Sequence, residues 1–230
     1  MPPASLPIRP ASMLTMDERS RLRRLALRLE YSTIVWNVGE AGLTIGLGIV
    51  AGSLALIGFG TDSIIEVFAS AVVVWHLHPG HETDHPRRTA RALRLVGIAF
   101  AVLAVALSIV SVRDLVTGRR PDESIWGALY LVVVAVVMFG LGRAKHRIAA
   151  RLDSAPLRAE ATMTVLDGAL AAGTAIGLGL NIVADWWWAD PMAALVVAVV
   201  AANEARQNFE EAREWGYEVS SGGSAPPPHE

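Results

Sequence analysis

Asp62 and Glu66 stand four residues apart in one apolar stretch, and Glu160, Met163, Thr164 and Asp167 lie together in another. On a helix, the i, i+4 spacing stacks the first pair on one face. Glu160, Met163 and Asp167 follow i, i+3, i+7, which is also a single face. Carboxylates gathered in a low-dielectric setting repel one another and take up protons. A divalent cation relieves that repulsion and expels the protons, which is the chemistry of cation/proton exchange. The competing reading is that these acids pair with Asn37, Thr61, Ser63 or backbone groups and fix helix packing. A further acid, Glu40, lies near Asn37 in a third apolar stretch. It is a candidate proton carrier or an acceptor behind the ligands, with a packing carboxyl as the alternative.

The elements that must carry these residues are spanning helices. The 230 residues are 53% hydrophobic and 18% charged, and the mean hydropathy is +0.41. This is the composition of a membrane protein and excludes an ordinary soluble enzyme. A helix needs about 20 mostly apolar residues to cross the bilayer. Six segments meet that need, near 31–51, 55–75, 93–113, 124–142, 159–182 and 189–205. An all-α, polytopic six-transmembrane-helix bundle is therefore expected, with tight hairpins at Gly52–Ser53 and at Asp185–Asp190. Asp62, Glu66 and Asp167 then approach the membrane midplane. Ionisable side chains are costly there and mark ion or proton paths.

Seventeen of the 20 Lys and Arg residues fall on one side of these segments, which places both termini in the cytoplasm. Residues 1–30 are basic, with no removable signal sequence, and 17–30 are expected to form an amphipathic helix on the membrane surface. The membrane domain is expected over 31–212, followed by a disordered tail, 213–230, with no folded cytoplasmic domain. Trp186, Trp187 and Trp188 suit an interfacial anchor. The stretch HLHPGHETDH holds His76, His78, His81 and His85. It is either an accessory loop that collects metal or an incidental solvated segment.

At these positions the chain resembles the cation diffusion facilitator (cation efflux) family, over about residues 30–212. GSLALIGFGTDSIIEVFAS is similar to the family's second-helix signature, with Asp62 and Glu66 at two metal-ligand positions. LRAEATMTVLDGALAAG resembles the fifth-helix signature, with Met163 and Asp167 at its ligand positions. WWWADPMAALVVAVVAANEARQNFEEA is similar to the sixth helix. The GFxxDSxxEV-like second helix also resembles a divergent branch that includes vesicular zinc-binding membrane proteins. Membership implies export of a divalent metal, typically zinc, by proton antiport through alternating access in a homodimer. In this sequence Glu66 stands where Asp is usual, and Met163 where His is usual. A thioether is a softer ligand that favours Cu(I) over zinc. Glu160, one turn from Met163, is a candidate to donate an oxygen to entering metal.

No nucleotide-binding Gly-rich loop, hydrolytic constellation or metalloprotease helix accompanies these residues, so no enzyme activity and no tightly bound cofactor are expected. Nor does a net charge of −2 favour a nucleic-acid partner. The absence of cysteine removes thiolate metal sites. Metal, protons and the lipid bilayer are the expected partners. The expected function is secondary active export of a divalent cation, zinc first, through Asp62, Glu66 and Asp167. The alternative is a non-transporting metal-binding or regulatory membrane protein with the same fold. Arg and Ala richness points to a prokaryotic plasma membrane.

Overall fold

The computed structural model describes residues 14–51, 54–78, 86–118 and 125–220. They form six helices: α1 (Met16–Ala51), α2 (Leu54–Leu77), α3 (Pro86–Thr117), α4 (Ile125–Leu152), α5 (Ala155–Ala184) and α6 (Ala189–Ser220). The all-α expectation holds. Among the described residues, four stretches within these helices are long and apolar enough to cross a membrane, namely Gly60–Leu77, Pro86–Thr117, Leu129–Leu152 and Ala155–Ala184. The packing is paired: α1 lies on α2, α4 on α5 and α3 on α6, with α5 also against α6.

Close helix approach depends on small residues. A Cβ on Gly177 would sit 2.7 Å from the backbone of Asp190, so glycine lets the first turn of α6 fold back on α5. At Gly60 a Cβ would meet Ile45 at 2.5 Å and Thr44 at 2.6 Å, so α1 closes on α2 beside Asp62. The tight hairpin expected at Asp185–Asp190 is present. Asp185 caps α5 in the left-handed region (φ 57°); its backbone N–H donates to the carbonyl of Asn181 at 2.9 Å, and that of Trp186 to the carbonyl of Leu180 at 3.4 Å. Trp186 and Trp188 stack with centroids 5.4 Å apart at this end, both exposed, as an interfacial anchor requires. The hairpin turn at Gly52–Ser53 lies outside the described residues.

Two boundaries differ from the sequence expectation. Residues 17–30 are not a separate surface helix, because α1 runs without a break from Met16. Its first turns are held by packing: Leu22 and Ala26 join Val73, Leu77, Ile148, Ala149 and Leu157 in a buried cluster. Arg23 donates to the carbonyls of Leu77 and His78, and Arg88 of α3 to that of Trp75. These guanidiniums satisfy the orphan carbonyls at the end of α2. Arg88 also lies 4.3 Å over the Trp75 ring. At the other end, α6 continues to Ser220, so 213–220 are helical rather than part of a disordered tail. Ala205 and Ala212 belong to the main core, with Phe209 and Trp215 packed against it, and this carries the helix beyond the apolar segment. Residues 221–230 lie outside the described residues.

Candidate metal centre

Asp62, Glu66, Met163 and Asp167 line one pocket, the first two from one face of α2 and the others from one face of α5. The other walls are Ile65, Leu103, Leu107, Leu166, Leu170 and Val197, so α2 and α5 bring the polar groups and α3 and α6 close the space with aliphatic side chains. The pocket measures about 280 Å³ including its open mouth. Glu66 and Met163 are buried, at 4% and 2% exposure. Asp62 and Asp167 are half-buried. Among the described residues, no three His, Asp or Glu side chains are close enough to hold a metal ion together. The acids share a pocket without forming a closed coordination cluster.

Behind Asp62, Glu40 accepts hydrogen bonds from Tyr130 Oη at 2.6 Å and from Ser63 Oγ at 3.2 Å. It therefore ties α1 to both α4 and α2. Its charge acts on Asp62 and Asp167, though it does not line the pocket. Asn37 is buried and donates to the carbonyl of Thr33 within its own helix at 3.1 Å, so it does not pair with the acids.

Glu160 is not in the pocket. Its Oε1 accepts from Lys145 Nζ at 2.6 Å, Ser70 Oγ at 3.0 Å and Thr164 Oγ1 at 3.2 Å. Lys145 also reaches Glu30 Oε2 at 3.4 Å and Thr164 Oγ1 at 3.2 Å. Lys145, Glu30 and Glu160 are each fully buried. Among the described residues, the network touches the pocket through Thr164, whose hydroxyl lies 3.1 Å from Glu66 Oε1.

In the sequence, Lys145 and Glu30 read as charges flanking the membrane segments. Their burial is nonetheless visible as a stripe: Met138, Gly142, Lys145 and Ala149 recur every three or four residues, as do Ala26, Glu30, Thr33 and Asn37. The expected histidine loop is only partly seen. His76 is buried in the last turn of α2 and His78 is exposed just beyond it, while His81 and His85 lie outside the described residues.

Six packed helices, four with stretches of membrane-spanning length and apolarity, and a pocket where α2 and α5 bring acidic side chains between aliphatic walls define a class: polytopic membrane proteins with an acidic internal pocket. The sequence match is more specific. Residues 31–214 match the cation efflux transmembrane domain, and the chain belongs to that family, whose members are transporters rather than enzymes. It is 24% identical over 184 residues to a protein of Synechocystis sp. (strain ATCC 27184 / PCC 6803 / Kazusa) described as an uncharacterized transporter. That alignment covers 75% of this chain and 59% of the relative's length, so the chain spans less than two thirds of that relative.

Proposed function

We propose that the protein is a secondary active transporter that moves a divalent metal cation, zinc first, out of the cytoplasm in exchange for protons. One observation carries this reading: Asp62, Glu66, Asp167 and Met163, from two helices of a cation efflux domain, line a single apolar-walled pocket. Oxygen donors from Asp62, Glu66 and Asp167 supply charge for a divalent ion, and the Met163 thioether adds a soft donor that biases the choice of metal. Glu160 is held in its ion pair with Lys145 and is left out of the ligand set.

Metal arriving from the cytoplasm draws the separated carboxylates together and displaces the protons they share in its absence. Protons entering from the opposite side then favour release. The surrounding Leu, Ile and Val side chains lower the local dielectric, so the charged groups interact more strongly than they would in open water. The family resemblance supports a homodimer that alternates access between the two sides. The charge distribution supports a prokaryotic plasma membrane with both termini in the cytoplasm.

Zinc titration of the purified protein tests the site. Wild type is expected to bind zinc, and Asp62→Ala and Asp167→Ala each to weaken binding at least about tenfold, the cost of removing one charged ligand. Unchanged binding in both variants would sink the assignment. Binding without transport would favour the metal-binding or regulatory alternative.

A further inference from the structure

Glu30, Lys145 and Glu160 come from α1, α4 and α5 and are shut off from solvent. Two carboxylates face one ammonium, which leaves an excess negative charge in a site closed to bulk solvent. Isolated buried charge is too costly to persist, and such a cluster neutralises itself by binding a proton. The hydrogen-bond pattern agrees. Glu30 Oε2 and Glu160 Oε1 are the oxygens that meet Lys145, whereas Glu30 Oε1 and Glu160 Oε2 are buried with no donor. Glu30 and Glu160 meet at the same Lys145 ammonium, at 3.4 and 2.6 Å. A proton on one carboxyl would supply the missing donor.

The groups facing this pair are Lys145 from α4, Ser70 from α2 and Thr164 from α5; Glu66 acts through Thr164 and by its charge on Lys145 and Glu160, and His146 through longer-range charge. Among the described residues, Thr164 is the link to the pocket. Its oxygen lies 3.1 Å from Glu66 Oε1 and 3.2 Å from Glu160 Oε1, yet a hydroxyl has a single proton to donate. It therefore donates to one acid or the other.

We propose that the Glu30–Glu160 pair, clamped by Lys145, is a second proton site of the transporter, separate from the metal pocket and linked to it through the Thr164 hydroxyl. This rests on the reading of Asp62, Glu66 and Asp167 as the metal pocket. When the metal engages Glu66, that carboxylate no longer needs the Thr164 proton, and the hydroxyl turns to Glu160. Glu160 Oε1 then accepts from Lys145, Ser70 and Thr164 together, and the pair no longer needs the shared proton. The Glu30 carboxyl O–H breaks, its oxygen keeps the electron pair, and the proton passes to solvent when alternating access opens the cluster. Metal loss reverses each step.

The test uses full-length protein in detergent, with zinc alone as the ligand. In the metal-free protein at neutral pH, infrared spectra should show the C=O stretch of a protonated carboxylic acid that Glu30→Gln removes. Zinc affinity measured across pH should change less steeply in Glu30→Gln, by about one proton per zinc. Thr164→Val should flatten the pH dependence in the same way while keeping the infrared band, and Thr164→Ser should restore it. A band that survives Glu30→Gln, or a pH slope equal to wild type in Glu30→Gln or Thr164→Val, overturns the proposal. If wild type binds no zinc, the pocket assignment fails and the linkage with it. The infrared band, read without metal, still decides whether the pair holds a proton.

Discussion

On the proposed reading Met163 sets which metal the pocket prefers, because it is the one pocket-lining donor that is neither charged nor titratable. Its side chain is buried on α5, the helix that also carries Asp167. Met163→His places a borderline nitrogen ligand there, and zinc affinity is expected to rise about tenfold or more relative to the harder manganese ion. A competition titration of zinc against manganese reads this, and an unchanged ratio argues that position 163 is packing only. Lys145 has the opposite character: it is structural first. Its ammonium is the counter-charge for Glu30 and Glu160. Lys145→Met should therefore cost about 3 kcal/mol of stability, as for other broken buried pairs. A melting temperature in detergent equal to that of wild type would contradict the ion-pair geometry. The acids at membrane depth were legible in the sequence because they interrupt apolar runs. Lys145 and Glu30 were not, because each adjoins a basic segment and reads as a flank; only their fit to the three-or-four-residue burial stripe separates them from Arg143, Arg147 and Arg28.

Among the helices, what a local sequence window predicts is the apolar middle of each segment. The ends depend on partners distant in the chain. Residues 17–30 have the charge pattern of a surface helix, and alone they would have no reason to continue α1. Contacts to Val73, Leu77, Ile148 and Leu157 supply that reason, and no window around residue 20 contains them. The same holds for 213–220, where the core packing of Ala212 and Trp215 overrides the helix-breaking tail that follows. The α5–α6 hairpin is the reverse case, because Gly177 and the Asp185 cap make it a local device. Gly177→Val forces side-chain atoms into the Asp190 backbone and should destabilise the bundle by about 1–3 kcal/mol, an overpacking cost. Thermal unfolding measures this, and a neutral result would mean that α6 can move away without loss. Because Asp167 lies on α5 and Val197 on α6, the same variant should also disturb zinc binding.

For the whole molecule, the bundle is organised around two questions: where charge can live and which side it faces. Large apolar side chains point outward along α3, α4 and α6, among them Ile109 at 64%, Val136 at 68% and Val199 at 70% exposure, which suits contact with lipid. Among the described residues, buried charged groups include Glu66 in the pocket and the Lys145 cluster, while the Glu40–Tyr130 bond lies at an exposed position. Removing Lys145 from the count of flanking charges still leaves a strong excess of Arg on the side of both termini. The chain has no cysteine, so single cysteines can be introduced to report topology. Ser12→Cys and Ser221→Cys should both react with an impermeant thiol reagent only in inverted membranes, and labelling of either in right-side-out cells would reverse the orientation. The direction of transport depends on that result.

The most direct test of the central claim is proton movement driven by metal in sealed proteoliposomes containing the full-length protein. On addition of zinc to one side, with a pH reporter inside, the account predicts coupled zinc entry and proton exit through wild type, and neither through Asp62→Ala or Asp167→Ala. Zinc entry without any proton movement would contradict antiport, and equal fluxes through wild type and both variants would contradict the site itself.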